Sequence, residues 1–118
     1  MEIRNLPFLS LPEAARLLAV STRRIRRLID RGALSAVRIS GMLVLPVEAL
    51  PKPLQDPRGR KPLLTLHEAA RQLGIAPQAL RVLARDGKLV PLQIGGSLRW
   101  LPAEVMAWQN GQAPGLAA

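Results

Sequence analysis

Residues 10–32 read SLPEAARLLAVSTRRIRRLIDRG, and two helices are written into them. Ser10 and Glu13 stand three apart, the spacing at which a hydroxyl and a carboxylate cap a helix start reciprocally. Ala14, Ala15 and Leu18 then recur at helical spacing for about two turns before Val20 and Ser21 intervene. Ser21 is a good N-cap for a second helix, whose buried direction is marked by Ile25, Leu28 and Ile29. Gly32, just after Arg31, is placed for a left-handed C-terminal turn. The stretch predicts helix, tight turn, helix. Five arginines, Arg23, Arg24, Arg26, Arg27 and Arg31, crowd the second helix against the lone Asp30. With the aliphatic trio inward and about 100° per residue, Arg23 and Arg27 point most directly away from the core, and Arg24 and Arg26 flank them.

Displaced by 55 positions the chain repeats itself: residues 10–45 lie over residues 65–100 without a gap, and 13 of the 36 pairs are identical. A match of that length marks one supersecondary unit duplicated, not a solenoid of short turns. The second copy starts at Thr65 with Glu68, carries Ala69, Ala70 and Leu73, and breaks at Gly74-Ile75. It restarts with Pro77 in the first helical turn, where the missing N–H costs nothing, and stops at Gly87.

Beyond each stop the period changes. VRISGMLVLP (residues 37–46) and LQIGGSLRWLP (residues 92–102) each set a glycine-bearing turn between short β-prone runs, which predicts a hairpin. Pro46 answers Pro102 and Glu48 answers Glu104, so the second copy has one extra residue, expected in the hairpin. PVEAL and PAEVMAW then offer a short closing helix, cut off in the first copy by Pro51 and Pro53. The organisation expected is a first module over residues 1–50, a proline-rich basic linker over 51–62, a second module over 63–110 and a flexible tail over 111–118. Each module of about 50 residues is near the lower limit for independent stability, so the two are expected to lean on each other or on a partner.

There is no cysteine and one histidine, which excludes disulfides and thiolate metal sites. No run approaches the roughly 20 apolar residues that span a bilayer, and MEIRNLPFLS lacks the apolar stretch of a signal peptide. A soluble, cytoplasmic protein is expected, with no membrane contact. The 17 basic and 8 acidic side chains leave a net charge of +9, and such a field draws polyanions. Basic over acidic groups count 8 to 4 in residues 1–50, 4 to 1 in 51–61 and 5 to 3 in 62–118. The middle segment is therefore the densest in charge.

These features resemble the excisionase family of small winged-helix DNA-binding domains, relatives of the DNA-binding head of MerR-type regulators. The carriers are the E-A-A with a following leucine (Glu13 to Leu18, Glu68 to Leu73) and the β-branched residue closing the turn (Val20, Ile75). With them go the arginine-bearing helix ending in Gly and then leucine (Gly32 to Leu34, Gly87 to Leu89) and the I-x-G of a wing (Ile39 to Gly41, Ile94 to Gly96). The resemblance implies a mainly α fold with small β-hairpin wings, built as two tandem winged helix-turn-helix modules. It also implies double-stranded DNA as partner, with the second helix in the major groove and the wing in an adjacent groove.

Guanidinium groups bind guanine O6 and N7 bidentately and also bind phosphate, so Arg23, Arg24, Arg26 and Arg27 are the first candidates for DNA contact. In the second copy Gln78, Ala79 and Val82 replace Arg23, Arg24 and Arg27, Arg81 is retained and Arg85 is added. Gln78 suits adenine and Val82 a thymine methyl; equally, this copy has the composition of a pairing surface. The second wing carries Arg99 beside Trp100. The first carries the apolar run Met42, Leu43, Val44 and Leu45, expected to touch the other module or a second protein chain, as in a homodimer, with Arg38 at its entry as a phosphate contact. The four prolines of residues 51–62 predict an extended connector of roughly 3.1 Å per residue, about 34 Å in all and close to one DNA turn. Its RGRK, with Arg58, Arg60 and Lys61, resembles an AT-hook reaching into a narrow minor groove.

No nucleophile with a base, no carboxylate pair and no metal cage can be assembled from the eight scattered acids. No enzyme activity, cofactor or metal is expected. His67 is expected at the surface of a helix start, and Trp108 in the core with Val105 and Met106. The alternative function is a protein–protein assembly module, of the kind found in phage DNA packaging or in regulatory adaptors, with incidental DNA binding.

Overall fold

The computed structural model describes residues 8–111; the predicted tail, apart from Gly111, lies outside them. The chain divides into two compact units, one ending at Lys61 and the other starting at Pro62. It is mainly helical with small antiparallel sheets.

In the first unit, β1 (Phe8–Ser10) leads into α1 (Leu11–Leu18) and α2 (Thr22–Asp30), followed by the hairpin β2 (Val37–Ile39) and β3 (Met42–Pro46). The hydroxyl of Ser10 accepts from the Glu13 backbone N–H at 3.2 Å, and that of Ser21 from Arg24 at 3.0 Å. These bonds satisfy two of the N–H groups that a helix start leaves orphaned. Ala14, Ala15, Leu17 and Leu18 are buried against α2, which contributes Ile25 and Leu28. Small alanine side chains let the two short helices approach closely. The sheet has the order β1-β3-β2, with Leu9 opposite Leu45 and Ile39 opposite Met42.

The second unit follows the same plan. It has α3 (Leu66–Leu73), α4 (Pro77–Arg85), the hairpin β4 (Leu92–Ile94) and β5 (Ser97–Arg99), and the closing helix α5 (Pro102–Gln109). The full reciprocal capping box is present here. Glu68 N–H donates to the Thr65 hydroxyl at 3.2 Å, and the Glu68 carboxylate accepts from Thr65 N–H at 2.9 Å. Trp100 is wholly buried among Ala69, Ala70, Leu80, Leu89 and Val105, and its indole N–H donates to the Leu89 carbonyl at 3.2 Å. Trp108 packs partly buried on this core, but Met106, expected beside it, is 53% exposed. Val105 takes the inward position, and its neighbour on an eight-residue helix is turned about 100° away. In the first unit the segment corresponding to α5 is only a 3-10 turn, Val47–Ala49.

The extra residue of the second copy is not in the hairpin. Both hairpins close in two residues, with Ile39 opposite Met42 and Ile94 opposite Ser97. Leu45 and Trp100 likewise hold the same place, one opposite Leu9 and the other bridged to Leu64. The insertion is therefore Leu101, at the junction of the strand with α5, where it serves as N-cap residue. A two-residue hairpin turn is stereochemically demanding; a strand-to-helix junction has no such constraint.

Residues 51–61 are not the extended connector predicted from their prolines. They form two 3-10 turns, Lys52–Leu54 and Pro57–Gly59, and bury Leu54. Burying a leucine contributes about 1.5–3 kcal/mol, enough to draw the segment onto the protein, and proline is tolerated early in a helical turn, as Pro53 and Pro57 are here. A reach of one DNA turn therefore does not apply to this segment. Asp56 caps the second turn; its carboxylate is held below its ordinary range by the Arg58 backbone N–H and then by the Arg58 side chain.

The duplication offers an internal comparison of backbone strain. Ala19 ends α1 at φ 59° and Gly74 ends α3 at φ 72°, and these are equivalent positions. The left-handed region costs a non-glycine residue roughly 1–2 kcal/mol, partly offset by the greater unfolded-state freedom of glycine. Ala19→Gly is therefore expected to raise the unfolding free energy by about 0.5–1 kcal/mol, and Gly74→Ala to lower it by about 1 kcal/mol. Urea denaturation of the two variants checks the pair; effects of the same sign would contradict the assignment of strain.

Candidate nucleic-acid interface

The surface of α2 follows from its anchors. Ile25 and Leu28 are buried and Ile29 is half-buried, which leaves Arg23, Arg26 and Arg27 exposed and Arg24 half-buried on the remaining arc. The guanidinium groups of Arg23, Arg26 and Arg27 make no hydrogen bond or ion pair with a described residue, whereas Arg24 is engaged. Ion pairs among the described residues include Arg58 with Asp56 at 3.4 Å and Arg85 with Asp86 at 3.8 Å. Two arginine charges about 7 Å apart in water repel by roughly 0.6 kcal/mol. A short helix tolerates that, and a polyanion laid along it removes it.

Arg38 lies on β2 opposite Leu43, and its guanidinium donates to the Gly41 carbonyl at 3.2 Å. Cross-strand partners share a sheet face, so Arg38 is on the same side as Leu43 and the buried Leu45, the side turned toward the helices. Arg26, Arg38, Gly41 and Leu43 border a shallow cleft with Ser10 and Pro12.

On α4, Gln78, Ala79 and Arg81 are exposed and Val82 is half-buried. Arg85 is exposed and paired with Asp86. Arg99, on β5, is half-buried and donates to the Leu98 carbonyl at 2.8 Å. A second cleft lies in the corresponding place, bordered by Thr65, His67, Arg81, Gly96, Ser97 and Arg99. Neither its existence nor the part of His67 in it was visible in the sequence, where His67 reads as an isolated surface residue. The signal available was its alignment with Pro12 in the repeat, beside the helix start that faces each wing.

Two groups of predicted contacts are corrected. The AT-hook reading of Arg58, Arg60 and Lys61 needs an extended backbone with both arginines free. Arg60 instead donates to the carbonyls of Leu54 at 2.8 Å and Gln55 at 3.1 Å, and Arg58 sits in a 3-10 turn beside Asp56. Lys61 is exposed. Of the apolar run expected to meet a partner, Leu45 is wholly buried in its own unit and Leu43 and Val44 are half-buried, while Met42 is 65% exposed. β3 is the central strand, so its residues alternate between the core and the outer face, and only one side of the run is open.

The family model described as a helix-turn-helix domain matches residues 8–50 and again residues 63–113. No curated protein and no solved structure matches the chain. Among the described residues no helix is long and apolar enough to cross a membrane. The matched stretches take in well over half of the chain and coincide with the helix pairs and hairpins just described, and the chain belongs to the helix-turn-helix domain family.

Proposed function

We propose that this chain is a sequence-specific double-stranded DNA-binding protein of the excisionase type with MerR-like heads. It carries two such heads in tandem and acts as an architectural recombination factor or a small transcription regulator. It works in the cytoplasm at the nucleoid, catalyses no reaction and needs no cofactor. The observation that carries this reading is the exposure of Arg23, Arg26 and Arg27 on α2, on the arc facing away from the buried Ile25 and Leu28, with no partner for their guanidinium groups among the described residues. A helix anchored that way in a helix-turn-helix presents its outer arc to the major groove. Gln78 on α4 supports a different base preference for the second head, since a carboxamide pairs with adenine.

Gel shifts on random and genomic duplexes over a salt series test it. Binding is expected to prefer some fragments by at least about 10³ over random duplex and to weaken steeply with salt as counterions are released. Weak, sequence-blind retention at every salt concentration would leave the assembly reading instead. One observation favours that second reading: Phe8, Val37, Ile39 and Met42 are 38, 39, 43 and 65% exposed. Their registers place them with Val44 on the outer face of one sheet. A contiguous apolar face of this kind marks interaction surfaces, through which a second protein chain would join.

A further inference from the structure

An antiparallel sheet with one face in the core normally sets polar residues on the other. The first sheet does not. Leu9 and Leu45 fill its inner side, and its outer side carries Phe8, Val37, Ile39, Met42, Val44 and Pro46, with Ser10 as the one polar residue and no charge. The repeat supplies an internal control. At the positions of Met42 and Val44 the second hairpin carries Ser97 and Arg99, paired across the strands with Ile94 and Leu92. Closing this hairpin therefore requires neither methionine nor valine at those places. Met42, the most exposed of the set at 65%, gains least from its own unit.

We infer that this face pairs with the same face of a second copy of the chain, in a two-fold contact that covers both Met42 side chains. Charge selects the occupant. The chain carries +9, so an acidic partner is drawn to exposed arginines such as those of α2, and seven uncharged residues offer it nothing to pair with. Nucleic acid would meet no cation on this face and a single hydroxyl, that of Ser10, already engaged by the Glu13 N–H. An equal apolar face needs neither charge nor donor, and a two-fold axis supplies one without any further complementarity. Size sets the strength. Three strands about 4.8 Å apart and five residues of about 3.4 Å each measure roughly 250 Å² in projection. Two such faces stay below the ~1,200 Å² of a stable interface even if side-chain relief doubles that area. Interfaces of about 1,600 Å² reach micromolar affinity or better, so this smaller contact, opposed by the repulsion of two cationic chains, is weaker than micromolar. The face lies across the sheet from Leu9 and Leu45, which are turned toward the helices, so pairing does not engage the arginines of α2. It stands whether or not the chain binds DNA; if it does, two arginine helices are brought to one duplex.

Sedimentation velocity of the purified full chain tests the pairing, from about 5 to about 500 µM, in salt of about 0.1 M and about 1 M, between which the Debye length falls from ~10 Å to ~3 Å. The mass is expected to rise with concentration from one chain toward two. The association should be at least about threefold tighter at the higher salt, because repulsion is screened while apolar contact is not weakened. Met42→Ser, which installs the residue of the second hairpin, together with Ile39→Thr, which keeps a β-branched side chain, should weaken association about tenfold or more and leave the melting temperature unchanged. If that pair unfolds the unit, Met42→Ser alone serves, with a loss of about threefold. Val90→Ser removes an exposed apolar residue outside the sheet and should change nothing. A wild type that stays a single chain throughout, a contact that weakens with salt, or a Val90→Ser effect as large as that of the sheet variants would overturn the inference. So would unchanged association with a lowered melting temperature in the sheet variants, which would mean that the face is covered within one chain. No DNA is present, so failure of the pairing is read separately from failure of DNA binding.

Discussion

Replacing Arg23 and Arg27 together by alanine is expected to abolish discrimination between a selected site and random duplex while leaving the fold intact. Both side chains are exposed and neither holds a described residue, so removing them breaks no internal contact, and alanine is the better helix former. Each true bidentate contact to a base carries about 1–3 kcal/mol of discrimination. Losing both should reduce the preference roughly 30- to 10⁴-fold, a range set by that spread. Competition binding with the two duplexes measures it, and thermal melting of the variant checks the fold. A variant that kept its site preference would show that α2 does not lie in the groove by this face.

The second large effect concerns stability. Trp100→Ala should cost about 3–5 kcal/mol, because the side chain is wholly buried at the centre of the second unit's core and its loss also strands the Leu89 carbonyl. A unit of this size has roughly 3–9 kcal/mol in all, so a large share of its molecules should unfold. The variant retains Trp108 as its only tryptophan, and the emission of that residue is expected to shift to longer wavelength at temperatures where the wild type is folded. Trp100→Leu, which installs the residue found at the equivalent Leu45, should be milder. Equal stability of the alanine variant and the wild type would mean that Trp100 is not the keystone of that core.

Much of the fold was legible because it is encoded over a few residues. Ser10, Ser21 and Thr65 cap helices through bonds that span three positions. Gly32 and Gly87 adopt φ of 79° and 74° where the helices stop. The burial of Ile25 and Leu28 follows from helical period alone. Other features depend on partners far along the chain. The prolines around Leu54 suggested an extended connector, and only the burial of that leucine turns the segment into two compact turns. Arg60 reads as one more free cation until those turns present two carbonyls to it. The run from Met42 to Leu45 reads as a uniform apolar patch until its pairing with β1 and β2 sorts it into one face and the other.

Local hydrogen bonding and hydrophobic period, which act within one or two turns of chain, thus determined from sequence alone the helix pairs, their ends and the outward arginines of α2. Tertiary structure decided which cations find no partner among the described residues, which side of the first hairpin stays open, and that His67 and Arg81 border one cleft. Those outcomes depend on which distant carbonyl, strand or side chain comes to lie alongside, a relation that no short stretch of sequence contains.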